Sequence, residues 1–395
     1  MKVLYIHIGT PKTATTAIQE FCMDNQEALN QKGYCYPVFP FEYPDAPKAR
    51  NGHFLVGVAH DFGLEGIEEK EQREFREGLD TVNSLFERYD NVILSDEIIW
   101  RSTFSKRKSL WEELKQESEA GGFRVKVIVY LRRQDTFCVS WWNQLVKMGT
   151  RDVARESLRA YMDNVPPAMQ LDYYKKLEKI SKILGRDNVL VRRFGKEYFE
   201  GGSIYTDFLQ TVGLKLEDGF TIAKDIRNYS LEGNNHEIKR TLNSLQMNPV
   251  QNKFILQVLT DCSQVSEKMH SFAMLSKEDI QEFMERYEEG NRRIVQDYLK
   301  GEGELFHIGE VKKPVWKQEN PYMQEDILRF IGKGFIYLLE ENHKLKAELK
   351  LVKADIDRLK RDTSKHKQLF KKLRHPFRAV AHRVKGRISA LWRNK

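Results

Sequence analysis

The first stretch with chemical potential is His7–Ile18, which reads His-Ile-Gly-Thr-Pro-Lys-Thr-Ala-Thr-Thr-Ala-Ile. An apolar run (Val3–Ile8) precedes it and an amphipathic run (Ala17–Leu29) follows, which predicts a strand, a loop and a helix. The first N–H groups of a helix lack internal partners and carry the positive end of its dipole, so they attract anions. The loop adds one charge and three hydroxyls, from Lys12, Thr13, Thr15 and Thr16. A tetrahedral anion site is the functional interpretation, and a capped turn with an incidental lysine is the simpler one.

A second stretch places an arginine and a serine where both could contact one phosphate. The β-branched run Val125–Leu131 predicts a buried strand, and Arg132 follows it directly. The next apolar residues recur at helical spacing, so Ser140 falls about two turns into a helix that Asp135 could cap. Arginine suits phosphate because its planar fork makes paired hydrogen bonds. A solvated arginine at a strand end is the alternative.

Two carboxylates, Asp96 and Glu97, follow the apolar run Asn91–Ser95. Ligands bind beyond the carboxyl ends of strands in open parallel sheets, so a carboxylate at this position could face a substrate. Because side chains alternate along a strand, at most one of the two should point into the crevice. They could equally serve as the N-cap and first turn of a helix that begins near Ile98.

Several elements must bring these residues together. Apolar runs at 3–8, 91–95, 125–131 and 188–194 are separated by segments of helical period, which predicts an α/β fold with a P-loop-like parallel sheet flanked by helices. After Gly33–Pro37 the chain reads as a long loop, rich in proline and aromatic residues, that extends to about Arg50, and His53 stands just after it, before a short apolar helix. A surface histidine or a helix cap is the simplest interpretation of His53.

The loop differs from that of nucleotide triphosphatases, which need glycine directly before the lysine, where this chain has Pro11. Pro11-Lys12-Thr13-Ala14-Thr15-Thr16 instead resembles the 5′-phosphosulfate loop, P-K-[ST]-x-T-T, of sulfotransferases that use 3′-phosphoadenosine 5′-phosphosulfate (PAPS). Ala14 stands where glycine is usual; it is unfavourable if its φ is positive and favourable if the backbone there is helical. The strand with Arg132 and Ser140 is similar to the family's 3′-phosphate element, and Leu131–Asp135 looks like the bacterial branch. The resemblance spans residues 1–310.

The resemblance implies transfer of a sulfuryl group from PAPS to a hydroxyl of a carbohydrate acceptor, a surface polysaccharide or a glycolipid. The product nucleotide would be 3′-phosphoadenosine 5′-phosphate, and no metal ion is implied. The loop would bind the 5′-phosphosulfate through Pro11, Lys12, Thr13, Ala14, Thr15 and Thr16. Arg132 and Ser140 would bind the 3′-phosphate, and an Asn-x-Ser loop, Asn228 and Ser230, would close near the nucleotide unless it is only a polar cap.

The resemblance also suggests which groups catalyse the transfer. Lys12 would neutralise charge on the leaving oxygen. Glu97 is the first candidate for the base that takes the acceptor proton, because many sulfotransferases carry that residue at this strand end. His53 is the second candidate, because acceptor-site acid/base residues fall there in bacterial sulfotransferase-like sequences.

Composition limits the remaining possibilities. At 395 residues with 41% hydrophobic residues, the chain can bury a substantial core, and its four cysteines show no spacing typical of zinc sites or disulfide frameworks. No apolar run approaches the ~18 residues of a membrane span, and the N-terminal apolar run is too short for a signal peptide. We therefore expect a cytoplasmic chain.

The charge is divided unevenly. Residues 341–395 contain 18 Lys+Arg and five acidic residues, a balance of +13, so a total of +8 leaves −5 for residues 1–340. After a linker and the start of a helix at 311–334, residues 335–374 carry a heptad seam that predicts a coiled coil and a homo-oligomer. The basic amphipathic tail, 375–395, suits an anionic membrane surface on the cytoplasmic side. A disordered tail is the alternative, and nucleic acid is disfavoured because no binding module accompanies the charge.

Two other functions would use parts of the same sequence. An ATP-dependent phosphotransferase would share the strand, loop and helix, but would need Mg²⁺ and the glycine that Pro11 replaces. A non-catalytic membrane scaffold would use only the coiled coil and the tail. It would leave both predicted phosphate elements without a purpose.

Overall fold

A five-stranded parallel sheet forms the centre of the first part of the described chain. The computed structural model describes residues 1–43, 46–56, 67–104, 109–149, 152–222, 231–301 and 303–391. The chain divides into a first unit, Met1–Met323, and a second unit, Gln324–Lys395. The sheet and every residue of the candidate site belong to the first unit.

The strands lie in the order β2-β3-β1-β4-β5, all parallel. Their bounds are β1 (Val3–His7), β2 (Tyr34–Cys35), β3 (Asn91–Ser95), β4 (Arg124–Leu131) and β5 (Val189–Arg193). After β1 the chain first builds β2 and β3 on one side and then β4 and β5 on the other. The strand order therefore reverses at β1, which is where ligands bind in folds of this kind.

Thirteen helices accompany these strands in the described residues, with short 3₁₀ turns between them. Those before β5 are α1 (Thr15–Asp24), α2 (Gln26–Gln31), α3 (Ile67–Leu85), α4 (Leu110–Gly121), α5 (Gln134–Met148), α6 (Leu158–Asp163) and α7 (Tyr173–Leu184). Those after β5 are α8 (Ile204–Thr211), α9 (Gly233–Leu242), α10 (Pro249–Met269), α11 (Lys277–Glu285), α12 (Glu288–Tyr298) and α13 (Met323–Leu391).

The sheet is covered on both faces, because alternate strand residues enter two separate cores. Leu4 and Ile6 of β1 pack with residues of α3, α4, α5 and α7, whereas Val3 and Tyr5 pack with residues of α1 and α8. Complete burial of one such aliphatic side chain contributes about 1.5–3 kcal/mol. The α/β fold class and the P-loop-like parallel sheet are thus confirmed.

The structure differs from the predicted elements at three places. The two-residue strand β2 lies just before the predicted long loop, where no strand is predicted. The predicted helix at 17–29 is broken into α1 and α2 at Asn25, whose side chain bonds to the backbone of Thr221 in both directions, at 2.9 and 2.8 Å. Asp135 does not cap α5, which begins at Gln134; it forms a two-point ion pair with Arg133, at 2.7 and 2.9 Å.

The described part of the second unit is helical throughout and belongs to α13. This helix of 69 residues begins at Met323, one residue before the unit. At 1.5 Å per residue this helix is about 100 Å long, and it continues through Pro376. Its apolar seam residues are largely exposed, from 44% for Ile356 to 74% for Phe370. The long helix is therefore confirmed, while its pairing into a coiled coil stays a prediction.

The described residues also bear on membrane, metal and disulfide chemistry. None of the helices in the described ranges is both long and apolar enough to cross a membrane. The same ranges contain no group of three or more His, Cys, Asp or Glu side chains arranged to hold a metal ion. The four cysteines, Cys22, Cys35, Cys138 and Cys262, are buried thiols.

Candidate active site

The candidate site lies at the carboxyl edge of the three central strands. His7 is the last residue of β1 and is in register with Ser95, the last residue of β3, and with Ile128 of β4. The predicted loop follows β1, Asp96 and Glu97 follow β3, and Arg132 follows β4. The parallel sheet thus brings together side chains that are up to about 120 positions apart in sequence.

The loop after β1 has an alternating backbone conformation. Lys12 and Ala14 have positive φ angles of 69° and 56°, and Thr13 between them does not. Such alternation directs successive N–H groups toward one point and forms an anion-binding concavity. The backbone N–H and the hydroxyl of Thr10 both donate to Tyr130 O, each at 3.1 Å, and fix the loop against β4.

Ala14 is the N-cap residue of α1 in left-handed conformation, with φ 56° and ψ 29°. The sequence analysis left open whether alanine is favourable here, and the positive φ makes it unfavourable.

Replacing Ala14 with glycine should raise the free energy of unfolding by about 1 kcal/mol, because the left-handed region costs an L-residue ~1–2 kcal/mol. Urea denaturation of the ligand-free protein measures the change. The matched control is Ala17→Gly inside α1, which should lower stability by about 1 kcal/mol; a decrease in both variants would contradict this account.

Unpartnered polar atoms surround Gly9 at the floor of the loop. A Cβ atom on Gly9 would lie 3.0 Å from Thr15 Oγ1 and 3.5 Å from His7 Nε2, so only glycine leaves this space open. Both atoms are buried, and among the described residues neither has a hydrogen-bond partner. Burial lowers the pKa of His7 to about 3, so this ring is neutral near pH 7. An oxyanion fits such a cradle, because it would accept hydrogen bonds that the protein itself does not use.

The other hydroxyls of the loop differ in their surroundings. The buried Thr13 hydroxyl donates to Thr10 O at 2.5 Å, so its proton is used within the loop. Thr16 is exposed at the start of α1, and Pro11 is buried. In this conformation Thr15 at the floor of the loop and Thr16 at its surface are thus the hydroxyls left to donate to a ligand.

Arg132 joins the two predicted anion-binding elements. Its Nη1 donates to Lys12 O at 2.7 Å, and its Nε donates to Thr136 Oγ1 at 3.2 Å. The guanidinium lies 5.5 Å from the centre of the Phe194 ring, and Tyr173 donates to the carbonyl of Arg132 at 2.8 Å. Burial lowers the pKa of Arg132, but an arginine remains charged. A fixed cation thus lies directly beside the loop.

Ser140 lies on α5 and, with Arg132, lines a cavity of about 380 Å³. The same cavity reaches His236, whose ring stacks on Trp142 with 4.0 Å between centres. Burial, followed by nearby cations, lowers the pKa of His236 to about 3. The cavity therefore combines a cation, a hydroxyl and a neutral stacked ring next to the loop. Asn228 and Ser230, the other predicted nucleotide contacts, lie outside the described residues.

His53 is buried rather than on the surface, and it is paired with a carboxylate. Its Nδ1 lies 2.6 Å from Asp96 Oδ2, and Arg50 Nη2 donates to Asp96 Oδ1 at 2.9 Å. Burial acts to raise the pKa of Asp96, but the hydrogen bond from His53 and the Arg50 guanidinium outweigh it, so this pKa lies below its usual value. An ionised Asp96 accepts from Nδ1–H and leaves Nε2 of His53 to act on a substrate.

The residues before His53 fix its place beside β3. Asn51 donates to Ile93 O at 3.1 Å and accepts from Ser95 N at 2.8 Å, so its amide extends the hydrogen bonding of the strand. Gly52 donates to Ser95 O at 3.2 Å, and a Cβ there would lie only 3.1 Å from the Ser95 backbone. The sequence Asn51-Gly52-His53 is thus an anchored turn that holds the imidazole over the strand end.

Glu97 is the more accessible of the two carboxylates. Its side chain is 25% exposed, whereas that of Asp96 is fully buried, as the alternation argument expects. Gln19 of α1 donates to Glu97 Oε2 at 3.3 Å, and Arg50 Nη1 lies 3.7 Å from Oε1. Asp96 also caps the following turn by accepting from Ile98 N at 2.7 Å. Asp96 therefore has the capping role, while a substrate-facing role for Glu97 stays a prediction.

Lys12 is electrostatically coupled to its neighbours. Its pKa is lowered, first because surrounding protein removes hydration and then because the Arg132 guanidinium is near, while Glu97 opposes both effects. Lys147 of α5 belongs to the same group, since Lys12 contributes to the lowering of its pKa after burial. Three cations around one loop provide a strongly positive position for an anion.

An aromatic cavity of about 610 Å³ lies near His53, although His53 is not one of the residues that line it. Phe39 and Phe41 form part of its wall and stack on each other with 5.6 Å between ring centres. Tyr43, also in the wall, meets the edge of the His53 ring at 4.5 Å. Arg50 contributes charge at the same wall. The cavity therefore offers flat apolar faces and a cation close to the Asp96–His53 pair.

Sequence reasoning did not identify Asp96 as the partner of His53, nor Arg50 as the residue that contacts both Asp96 and Glu97. The available signal was Asn51-Gly52, a turn dipeptide directly before the histidine. It predicts a turn, but not that the turn is anchored on a strand more than 40 positions away. The part of the site around His53 therefore emerges only from the fold.

Comparison with known proteins gives distant likenesses. No protein-family model matches the chain. An uncharacterized protein from Archaeoglobus fulgidus is 23% identical over 223 residues, covering 54% of this chain, and the chain thus spans just over half, 57%, of that relative. A crystal structure of a sulfotransferase from Alicyclobacillus acidocaldarius aligns with 68% of this chain and 96% of its own, at 14% identity and a TM-score of 0.34. Neither likeness is close enough to assign the chain to a family.

Proposed function

We propose that this chain is a sulfotransferase that transfers a sulfuryl group from PAPS to a hydroxyl of a carbohydrate. The observation that supports this most strongly is the 2.7 Å hydrogen bond from Arg132 to the Lys12 carbonyl. It joins two oxyanion elements, one after β1 and one after β4, at the point where the strand order reverses. A donor with two separate phosphate groups needs two such elements side by side.

The donor would occupy the loop and the adjoining cavity. Its 5′-phosphosulfate would accept hydrogen bonds from the loop N–H groups and from Thr15 and Thr16. Arg132 and Ser140 would bind the 3′-phosphate from the 380 Å³ cavity that they line. Binding at both phosphates fixes the donor and aligns its sulfur with the acceptor oxygen.

The transfer is an in-line displacement at sulfur. The acceptor oxygen forms a new O–S bond, and the bond from sulfur to the bridging phosphate oxygen breaks. That oxygen keeps the electron pair and leaves as part of 3′-phosphoadenosine 5′-phosphate, with the Lys12 ammonium neutralising its growing charge. The acceptor proton passes to a protein base and then to solvent, so charge and atoms balance without a metal ion.

His53 is the base that we favour, with Asp96 as its positioning residue. Asp96 holds Nδ1–H and thereby fixes the tautomer, which leaves Nε2 free to accept the acceptor proton. Glu97, the first choice from the sequence, contacts Gln19 and Arg50 and lies close enough to Lys12 to influence its pKa. These contacts suit Glu97 to orienting Lys12 and the donor.

The aromatic cavity beside His53 would hold the acceptor. Pyranose rings have apolar faces that pack on aromatic rings, and Phe39, Phe41 and Tyr43 offer such faces. Surface polysaccharides and glycolipids contain consecutive sugar rings, which this wall would accommodate.

The seam of α13 would pair with a second copy of the chain, since exposed apolar side chains along a long helix favour self-association.

Mass spectrometry of glycolipids and polysaccharides from cells with and without the gene tests the proposed activity. We expect at least one glycan to lose the mass of a sulfuryl group when the gene is deleted, and to regain it when the wild-type gene is restored. Restoration with a Lys12→Met gene is the matched control and should fail. An unchanged set of sulfated glycans would contradict the proposal.

A further inference from the structure

A second basic cavity lies at the start of α7, apart from the candidate active site. Its volume is about 420 Å³. One side is formed by α7 and the residues just before it, and another by the segment 165–167 and Tyr287. The residues that line it are Val165, Pro166, Pro167, Gln170, Leu171, Asp172, Lys175, Lys176, Lys179 and Tyr287.

Lys176 is the unusual member of this group. It is only 8% exposed, and the described residues provide no hydrogen-bond or ion-pair partner for its ammonium. Lysine is almost never buried without a partner, because the loss of hydration is costly. Burial, followed by the charge of Lys179, lowers the pKa of Lys176 to about 8. An anion bound in the cavity would oppose the effects of burial and of Lys179, and would raise the pKa of Lys176.

The charges around Lys176 also favour an anion. Three lysines and one carboxylate line the cavity, which leaves a net charge of +2 when the lysines are protonated. The carboxylate, Asp172, is engaged as the N-cap of α7 and accepts from Lys175 N at 3.2 Å. The positive end of the α7 dipole adds to the field of the lysines. The cavity therefore favours a negatively charged ligand.

The rest of the wall is mainly apolar, apart from the amide of Gln170 and the hydroxyl of Tyr287, and it indicates the size of the ligand. Val165, Pro166 and Pro167 line the cavity together with Tyr287. The cavity has the volume of on the order of ten water molecules, which is far more than one sulfate ion fills. A ligand that fits both parts has an oxyanion at one end and a ring-sized, weakly polar body at the other.

We propose that this cavity binds a sugar ring that carries a sulfate or phosphate ester, with the oxyanion on Lys176. The ester oxygens accept hydrogen bonds from the Lys176 ammonium, with Lys175 and Lys179 adding charge, and the ring packs on the two prolines and Tyr287. Tyr173, next to Asp172, donates to the carbonyl of Arg132 at 2.8 Å, so the cavity is joined to the edge of the active site. The binding itself does not depend on the proposed transfer reaction.

Isothermal titration calorimetry of the full chain with glucose 6-sulfate tests this site. Because the Lys176 ammonium would donate charged hydrogen bonds to the ester, we expect Lys176→Met to weaken binding tenfold or more. Lys179→Met should weaken it several-fold, which provides a second variant if the first folds poorly. The matched control is Lys182→Met, which removes a charge that is 71% exposed on the same helix and should leave binding unchanged.

Three further titrations separate the alternatives. Lys12→Met should not change the affinity for glucose 6-sulfate; a loss in that variant would assign the sulfate to the active-site loop and overturn the proposal. Glucose should not bind detectably, and sodium sulfate should bind more weakly than glucose 6-sulfate. Equal affinity for sodium sulfate, or wild-type affinity in both Lys176→Met and Lys179→Met, would also overturn the proposal.

Discussion

Replacing His53 with asparagine should lower kcat for sulfuryl transfer by about 10²–10⁴-fold, the range expected for loss of a general base. The physical reason is that Asp96, at 2.6 Å from Nδ1, orients the ring and leaves Nε2 for the acceptor. Asparagine can still hydrogen-bond to Asp96, so the anchored turn should survive. The affinity for 3′-phosphoadenosine 5′-phosphate should be nearly unchanged, because the donor would bind on the other side of the crevice.

Glu97→Gln is the matched comparison, since it removes the rival base while keeping the side-chain shape. We expect it to lower kcat by less than about tenfold, in keeping with a supporting role near Lys12. The result that would contradict this assignment is a loss of about 10²–10⁴-fold in Glu97→Gln with activity retained in His53→Asn. A comparable loss of nucleotide affinity in Glu97→Gln would instead indicate a role in donor binding.

The second large effect is expected for Lys12→Met, which should lower kcat by about 10²–10³-fold. Methionine keeps the length of the side chain but cannot neutralise the charge that grows on the leaving oxygen. The substrate concentration at half-maximal rate should change less than kcat, because the loop N–H groups and Arg132 still bind the donor. Rates measured with ³⁵S-labelled PAPS and the unsulfated form of a glycan identified by mass spectrometry give both constants.

Lys115→Met is the control for the loss of one positive charge. Lys115 lies on α4 with a side chain that is 49% exposed, and it takes no part in the candidate site. Its activity should equal that of the wild type. If Lys12→Met also retained wild-type kcat, the loop would not have the electrostatic role assigned to it, even if the donor still bound there.

The central strands could be predicted from sequence because each is a continuous apolar run. The segments at 91–95 and 125–131 are largely buried on both faces. Such strands can be recognised in the sequence without knowing which strands they pair with. The two-residue strand β2 is too short to give a pattern. The break at Asn25 could not be predicted either, because its cause is a hydrogen bond to Thr221, almost 200 positions away.

Two of the predicted site residues could be placed because they follow strands closely. Lys12 and Arg132 come within a few residues of β1 and β4, so the topology of a parallel sheet is enough to bring them together. The surroundings of His53 depend on the fold of a segment without a repeating pattern. His53 meets Asp96 only because Asn51 and Gly52 bond to the backbone of β3, a contact that no periodicity signals.

The conformation of Ala14 shows why local sequence was insufficient even within the loop. The sequence is compatible with a helical or a left-handed backbone at Ala14. Compared with glycine, alanine is more stable in the helical backbone and less stable in the left-handed one. The left-handed value arises because the chain must turn from β1 into α1 while Thr10 is held on Tyr130. The tertiary contact thus decides a conformation that the residue itself disfavours.

The most direct test of the donor assignment is calorimetric titration of the full chain with 3′-phosphoadenosine 5′-phosphate and, separately, with Mg·ATP. The account predicts that 3′-phosphoadenosine 5′-phosphate binds, that Arg132→Ala weakens this binding at least tenfold, and that Mg·ATP does not bind measurably. Binding of Mg·ATP alone would instead favour a phosphotransferase, and binding of neither nucleotide would contradict the assignment of the loop and Arg132 to a PAPS site.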